Sequence, residues 1–251
     1  MSASLHGWII LDKPLGLGST QAVSAAKRAL RAGGYAKAKI GHGGTLDPLA
    51  TGVLPIALGE ATKLAGRMLD SDKIYDFTIR FGEQTDTLDG EGTVVARSGA
   101  RPERAALLAA LPAFTGPIAQ VPPAFSALKV DGERAYALAR AGAEVTLASR
   151  NVTIHALTAA PGPDGLLESA TLTAHVSKGT YIRSLARDIA LALGTVGHVT
   201  MLRRTKAGPF TLDSAISLDM LADLGQRRAL EDTTLPLTAG LDDIPVLAVT
   251  P

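Results

Sequence analysis

Residues 75–81 read Tyr-Asp-Phe-Thr-Ile-Arg-Phe, a stretch in which apolar and polar side chains alternate strictly. Alternation with a period of two places the apolar side chains on one face of a β-strand. Further strands are predicted on both sides of this stretch, near 7–14, 145–157, 166–176 and 199–204, mostly in hairpin-like order. The pattern therefore predicts an α+β fold around a largely antiparallel mixed sheet, flanked by helices and loops.

Helices are predicted between these strands. Ser19 offers an N-cap to an alanine-rich helix over 20–32, because a serine hydroxyl can accept from a backbone N–H of the first turn. Residues 180–193 form an amphipathic pattern with one apolar face. Two glycine-rich stretches, 35–58 and 82–92, are expected to be loops, and the acidic second one is expected to lie in solvent.

Composition narrows the class of protein. The chain has 251 residues, 46% hydrophobic and 20% charged, which is typical of a globular protein and long enough for a substantial core. The absence of cysteine excludes disulfides and thiolate metal sites. The apolar runs near the start are too short for a signal peptide or a membrane span. We therefore expect a cytoplasmic protein.

The net charge of +1 hides an uneven distribution of charge. Residues 213–251 carry seven carboxylates and two arginines, whereas six cations and no carboxylate lie between Lys13 and Leu46. Residues 173–212 carry six more cations and only one carboxylate, Asp188. Two basic regions are what a polyanion-binding face needs. Ordinary solvated surface charge explains the same composition equally well.

The segment Gly41-His-Gly-Gly-Thr-Leu-Asp-Pro-Leu-Ala-Thr-Gly52 contains a carboxylate, Asp47, in an apolar and glycine-rich setting. A carboxylate in a partly dry site stays charged only beside a cation or several hydrogen-bond donors. Asp47 equally fits the cap of a helix that begins at Pro48. Nucleotide binding is disfavoured, because the segment has neither a Gly-Lys-Ser/Thr ending nor a Gly-x-Gly-x-x-Gly pattern.

Three other residues are candidates for a site. Arg183 lies in the first turn of the amphipathic helix, where it can offer a carboxylate a bidentate partner, although a surface arginine paired with Asp188 or solvent is the commoner case. Tyr75 lies on the apolar face of its strand, as a core tyrosine with a satisfied hydroxyl would. His42 has no second ligand at metal-binding spacing, so no metal site is expected.

Six segments, taken in order along the chain, resemble the TruB-type tRNA pseudouridine synthases, which act on uridine 55 of tRNA. These segments are 11–16, 41–52, 73–75, 122–136, 178–183 and 201–204. The resemblance covers about 8–212 and implies a pseudouridine-synthase-like catalytic domain over 1–212, with an RNA-gripping thumb insertion at about 122–150. Family members usually carry a small C-terminal RNA-binding module. In this sequence the acidic segment 213–251 stands in that place, and the module is expected to be absent or truncated.

The resemblance also implies the chemistry. Asp47 would be the nucleophile or base, with Arg183 keeping it ionised, and Tyr75 would stack on the flipped uracil and relay a proton. The remaining residues would hold the RNA or the base: His42, Tyr181, Leu202, Lys13 and Lys129. Gly43 departs from the family pattern, where threonine or alanine is expected, and a glycine there should matter little.

An isomerisation needs no cofactor or metal, so the implied partner is the T-arm stem-loop of tRNA alone, bound by a monomer. A non-catalytic tRNA-binding or tRNA-folding protein is the main alternative, because it would use the same basic regions without needing Asp47. A hydrolase built on His42, Asp47 and a distant serine is disfavoured, since the sequence has no nucleophile elbow.

Overall fold

The structure is a computed structural model that describes residues 4–126, 128–130, 132–141, 143, 145 and 147–241. Its strands are β1 (Gly7–Lys13), β2 (Ile40–His42), β3 (Ala50–Leu58), β4 (Lys73–Phe81), β5 (Glu83–Thr85), β6 (Val94–Arg97), β7 (Gly116–Gln120), β8 (Lys129–Val130), β9 (Glu133–Arg134), β10 (Arg150–Ala159), β11 (Ser169–Val176), β12 (Gly197–Ala207), β13 (Phe210–Thr211) and β14 (Ala215–Ile216). Its helices are α1 (Ser19–Ala32), α2 (Ala65–Asp70), α3 (Arg104–Ala110), α4 (Ala135–Arg140), α5 (Ile182–Ala192) and α6 (Leu218–Gln226). Short 3-10 helices lie at Gly59–Lys63, Leu111–Phe114, Leu212–Ser214, Leu230–Thr233 and Leu237–Leu241.

These elements confirm the predicted α+β class with a mostly antiparallel mixed sheet. The chain divides into two compact units, one formed by the residues up to Lys73 together with those from Arg203 onward, the other by Ile74–Leu202. Among the helices of the residues that the structure describes, none has the length and apolar character needed to cross a membrane.

In the first unit, β1 pairs antiparallel with β3 and parallel with β14. The register runs from Gly7 opposite Leu58 to Lys13 opposite Gly52, so the end of β1 lies beside the start of β3. The core contains Trp8, Ile10, Val53 and Phe210 among its buried side chains. The expectation of a loop over 35–58 is wrong for 40–42 and 50–58, because β2 and β3 are paired strands there and β3 is mostly buried.

The acidic C-terminal residues, as far as residue 241, belong to this first unit. Strand β14 pairs with β1, and α6 packs against α1. The approach of the two helices is close, because a Cβ on Gly225 would lie 2.7 Å from the Ala29 carbonyl oxygen. The charge boundary at 213 is therefore not a boundary between the two units. Residues 242–251 of the predicted acidic segment lie outside the described residues.

In the second unit, strands follow the order β4, β11, β10, β7, and the first part of β12 lies beside β4. The predicted alternation of β4 is confirmed, since Phe77, Ile79 and Phe81 are buried. They share a core with the apolar face of α5, including Leu185 and Ile189, which confirms the amphipathic helix. In the predicted thumb insertion, the described residues form the β8–β9 hairpin and α4.

Candidate active site

Asp47 lies in the turn that connects β2 with β3. Its side chain is half-buried, and its carbonyl oxygen accepts the N–H of Ala50 at 3.0 Å. Strand β3 begins at Ala50, so no helix starts at Pro48. The helix-cap interpretation of Asp47 is therefore wrong.

Ser19 fixes the residue that precedes Asp47. Its hydroxyl oxygen accepts the N–H of Leu46 at 2.8 Å, and the hydroxyl donates to the Leu46 carbonyl at 3.0 Å. The prediction that Ser19 caps α1 is wrong, because Gly18 occupies the N-cap and Gln21 accepts its N–H. The serine hydroxyl instead clamps both backbone groups of Leu46, which is buried.

Arg204 ties the other parts of the turn together from inside the protein. Its guanidinium donates to the carbonyl oxygens of Val53 at 2.8 Å, Gly44 at 3.2 Å and Thr45 at 3.4 Å. The main chain of Arg204 also approaches Gly52 so closely that a Cβ there would lie 2.1 Å from the Arg204 carbonyl oxygen. With its φ of 100°, position 52 admits only glycine.

Gly43 also packs closely, against Met68 of α2. A Cβ at this position would lie 2.6 Å from the Met68 Cβ, and Met68 is fully buried. Glycine therefore suits this position in this chain, because it leaves room for the close approach of Met68. In this chain a larger residue would displace α2 or the turn. Both the added Cβ and the Met68 Cβ are fixed to the main chain, so neither can move aside by a side-chain rotation.

Lys13 occupies a position different from the RNA-contacting one expected from the resemblance. It is 0% exposed, and its ammonium donates to the carbonyl oxygens of Leu17 at 2.6 Å, Pro14 at 3.0 Å and Pro48 at 3.3 Å. Burial lowers the Lys13 pKa to about 8, with attraction to Asp47 opposing the shift and repulsion from Arg204 adding to it. A buried ammonium with three acceptors cannot reach a phosphate, so its charge acts on the Asp47 turn.

His42 lies at the end of β2, half-buried. Its Nδ1 accepts the N–H of Gly44 at 3.4 Å. Burial, together with the nearby charge of Arg204, lowers the His42 pKa below its usual value. Both effects favour the neutral imidazole over the charged one.

In the second unit, Arg183 is buried in the first turn of α5. Its Nη1 lies 3.2 Å from the Asp89 Oδ2 and donates to the Thr87 carbonyl at 2.8 Å, and its Nη2 donates to the Phe125 carbonyl at 3.0 Å. The surface-arginine interpretation is wrong, since Asp188 pairs instead with Arg187 at 2.8 Å.

Asp89 is the functional candidate that the sequence interpretation missed. The 82–92 stretch was expected to lie in solvent, yet Asp89 is 6% exposed, and its Oδ1 accepts the Thr87 hydroxyl at 2.6 Å and the Glu91 N–H at 3.0 Å. The preceding Leu88 has a φ of 63°, a left-handed conformation that is costly for leucine. Strained residues gather at functional sites, and nothing in the local sequence distinguishes this aspartate from its acidic neighbours.

Tyr75 and Leu202 both pack, half-buried, against the core cluster that contains Ile182 of α5. The Tyr75 ring thus packs as the ring of a core tyrosine does, and the active-site role of Tyr75 stays a prediction. Tyr181 immediately precedes α5, and the Arg150 guanidinium lies 6.0 Å from its ring centre. The backbone of Lys129 lies in β8, and its side chain is outside the described residues.

Comparison with known proteins places the chain among RNA-modifying enzymes. Residues 28–182 match the family described as TruB family pseudouridylate synthase (N terminal domain), and residues 183–242 match the tRNA pseudouridylate synthase B C-terminal domain. The chain is 68% identical to tRNA pseudouridine synthase B of Novosphingobium aromaticivorans, over 98% of this chain and 82% of the relative. It is 60% identical to tRNA pseudouridine synthase B of Zymomonas mobilis, over 98% and 80% of the two chains.

Two of the solved structures with a similar fold are of complexes with other molecules. The Cbf5-Nop10-Gar1 complex contains a chain that superposes with a TM-score of 0.69 at 28% identity, over 94% of this chain and 61% of that chain. An H/ACA RNP bound to a substrate RNA containing 2'-deoxyuridine gives a TM-score of 0.67 at 26% identity, over 94% and 60%. The chain thus spans about three fifths of these structural relatives.

Proposed function

The chain belongs to the TruB family of pseudouridylate synthases and is an isomerase that forms pseudouridine in tRNA, and we propose that its target is uridine 55 in the T-loop, with Asp47 as the catalytic carboxylate. The observation that carries the assignment is the confinement of Asp47. Its turn is clamped at Leu46 by Ser19 and at Gly44 by Arg204, with the charge of Lys13 nearby.

Uridine 55 has to leave the T-loop stack before its atoms can be reached. Flipping a base costs a few kcal/mol, and stacking on an aromatic side chain returns about 1–3 kcal/mol per base. In the proposal Tyr75 stacks on the flipped uracil, Tyr181 and Leu202 line its pocket, and the neutral imidazole of His42 takes the vacated place. The half-buried rings of Tyr75 and Tyr181 support these roles.

The reaction breaks the bond between N1 of uracil and C1' of ribose and forms a bond between C5 and C1'. Asp47 either attacks as a nucleophile or removes a ribose proton to give a glycal. Arg183 keeps the Asp47 carboxylate ionised, as an adjacent cation does. After the base rotates and rejoins, the C5 proton leaves through the Tyr75 hydroxyl, and N1 gains a proton, so the atoms balance without redox change.

The proposal also covers the domain organisation, the RNA-gripping thumb, the oligomeric state and the location of the enzyme. The catalytic part is 1–212, with a thumb at about 122–150 that grips the T-arm stem-loop, and Lys129 contributes a cation there. The enzyme acts as a monomer in the cytoplasm, without metal or cofactor. One similar structure is described as an RNP bound to a substrate RNA, which supports RNA as the ligand of this fold.

The test replaces Asp47 with asparagine, which keeps the side-chain shape and removes the charge. We expect Asp47→Asn to form no pseudouridine while binding a T-arm stem-loop as the wild type does. Asp164→Asn, an exposed loop carboxylate, is the matched control and should retain activity. Mapping the product in total tRNA then tests the position, and pseudouridine at a site other than 55 would contradict it.

A stem-loop with 5-fluorouridine at the target position separates the enzyme from a non-catalytic RNA-binding protein. The enzyme should convert or trap the analogue, and Asp47→Asn should release it unchanged. Normal turnover by Asp47→Asn would refute the catalytic assignment.

A further inference from the structure

Gln120, the last residue of β7, connects the edge of the second unit's sheet to the entry of α5. It is 0% exposed, and its Oε1 accepts the N–H of Tyr181 at 2.8 Å. Tyr181 is the N-cap residue of α5, and no side chain caps this helix from within its own sequence. The first N–H groups of a helix lack intrahelical partners, so the carboxamide supplies an acceptor that the helix itself does not provide.

The orientation of this carboxamide follows from its partner. Because the Tyr181 N–H can only donate, the amide oxygen faces it and the amide nitrogen faces away. That nitrogen is buried and has no hydrogen-bond partner among the described residues. A buried donor costs free energy unless a partner satisfies it, so the group of this side chain that stabilises the structure is the oxygen that accepts the Tyr181 N–H.

The residues after Gln120 are also fastened to α5. The Val121 carbonyl accepts the Ser184 hydroxyl at 2.8 Å and the Arg187 Nη2 at 3.1 Å. The Phe125 carbonyl accepts the Arg183 Nη2 at 3.0 Å. We call residues 120–126 the strap, since they lie along the first two turns of α5 and hold it by hydrogen bonds.

At its far end the strap is joined to the insertion that follows. The Ser126 carbonyl accepts the N–H of Tyr136 in α4 at 3.0 Å. The Ser126 hydroxyl is buried and, like the Gln120 amide nitrogen, has no partner among the described residues. A continuous series of hydrogen bonds therefore leads from α4 through the strap to Arg183, and to Tyr181 through Gln120.

We propose that Gln120 is a positioning residue for the pseudouridylation reaction: its carboxamide fixes Tyr181 at the entry of α5, and the strap thereby holds Arg183 in its catalytic orientation. The inference rests on the proposed function, because it takes Tyr181 and Arg183 as members of the active site. It predicts that loss of the carboxamide slows the chemical step without preventing RNA from binding.

The experiment compares Gln120→Met, which keeps the length and removes both polar atoms, with Gln120→Glu, which keeps an acceptor for the Tyr181 N–H. Single-turnover rates at saturating enzyme and dissociation constants for a T-arm stem-loop are measured for each. We expect Gln120→Met to lower the rate about tenfold or more with a dissociation constant close to that of the wild type. Gln120→Glu should recover a large part of the rate.

Two further variants keep the result interpretable. Ser184→Ala removes the hydrogen bond to the Val121 carbonyl of the strap and should lower the single-turnover rate to a smaller extent than Gln120→Met does. It provides the test if Gln120→Met does not fold. Gln226→Met, at an exposed glutamine of α6, should leave both quantities unchanged.

The inference would be overturned if Gln120→Met reacted as fast as the wild type. It would also be overturned if the single-turnover rate fell equally in Gln120→Met and Gln120→Glu. A third contradicting result is a loss of RNA binding by Gln120→Met with an unchanged rate. If Gln120→Met does not fold, an unchanged rate in Ser184→Ala overturns it. These outcomes leave the proposed function intact as long as Asp47→Asn is inactive. Full activity of Asp47→Asn would reject the proposed function independently of position 120.

Discussion

Lys13, at the end of β1, is a buried charge that acts on the carboxylate of Asp47, in the turn between β2 and β3. Its ammonium is held by three carbonyl oxygens, one of them from Pro48, the residue after Asp47. Three carbonyl acceptors satisfy the ammonium's donors, while the positive charge is left to act on the Asp47 carboxylate. The lysine thus has a structural and an electrostatic effect on the same turn.

The titration of Lys13 predicts the pH dependence of the reaction. Its pKa, lowered to about 8, means that the ammonium loses its proton as the pH rises through 8, and the attraction to Asp47 disappears with it. We expect kcat/KM to fall on the alkaline side with an apparent pKa near 8. Lys13→Arg, whose guanidinium does not titrate in this range, should lose that decline.

The measurement is kcat/KM on a T-arm stem-loop across the alkaline range, with circular dichroism to confirm folding of Lys13→Arg. Ionisation of the uracil itself is common to both proteins and cancels in the comparison. A wild-type profile that stays flat well above pH 8 would contradict the role given to Lys13.

At the scale of elements, the contact between the Asp47 turn and α2 depends on Gly43, and Gly41 in β2 serves as a comparison with open surroundings. An added Cβ at Gly43 would meet Met68 at 2.6 Å, whereas at Gly41 nothing lies within 4 Å. We expect Gly43→Ala to lower the free energy of unfolding by about 1–3 kcal/mol through overpacking. Gly41→Ala should be neutral or stabilising by about 0.4–1 kcal/mol, because alanine restricts the unfolded chain. Urea unfolding measures both, and equal stabilities would contradict the packing argument.

The elements that the sequence predicted correctly are those with a local pattern. Strand β4 alternates and α5 is amphipathic, so each carries its own signal. Strand β3 was missed because Gly52 and Pro55 interrupt it, and both are tolerated only through tertiary contacts, such as the approach of the Arg204 main chain to Gly52. Local patterns cannot report such contacts.

The same reasoning applies to the site. Asp47 could be singled out because it is the only carboxylate in its glycine-rich segment. Asp89 could not, because its burial depends on the Arg183 side chain, which is 94 residues away by sequence number from an acidic loop that looks solvated. The sequence predicts that the Ser19 hydroxyl caps its own helix, whereas in the structure this hydroxyl is hydrogen-bonded to Leu46, 27 residues later.

The hairpin formed by β5 and β6 is predicted to control Arg183 through Asp89. Asp89→Asn removes the negative charge that lies 3.2 Å from the buried Arg183 guanidinium. We expect the single-turnover rate to fall about tenfold or more, since charge-assisted hydrogen bonds contribute about 1.5–3 kcal/mol. Glu91→Gln, an exposed carboxylate two residues later, is the control and should react normally. If the two variants have the same rate, Asp89 has no part in positioning Arg183.

For the molecule as a whole, the basic region near the start of the sequence forms an exposed positively charged face on α1. The helix buries Ala22, Val23, Ala26, Ala29 and Leu30. Its cations lie on the other side, where Lys27, Arg28 and Arg31 are exposed, followed by exposed Lys37 and Lys39. Within the described part of the chain, none of these five side chains pairs with a carboxylate. Unpaired cations on one helix face are what an RNA backbone attracts.

This face predicts how affinity for tRNA depends on salt. Lys27 and Arg31 are four residues apart and therefore neighbours on α1. We expect the double variant Lys27→Gln and Arg31→Gln to bind tRNA more weakly and to reduce the slope of log affinity against log salt by about 0.7 to 0.9 for each phosphate that is no longer neutralised. The single-turnover rate at saturation should not change, because the chemistry at Asp47 does not use these cations. Lys63→Gln is the matched control, since Lys63 is exposed but already paired with Glu60. If the control weakens binding as much as the double variant does, the effect comes from net charge, and α1 is not the face that meets the RNA.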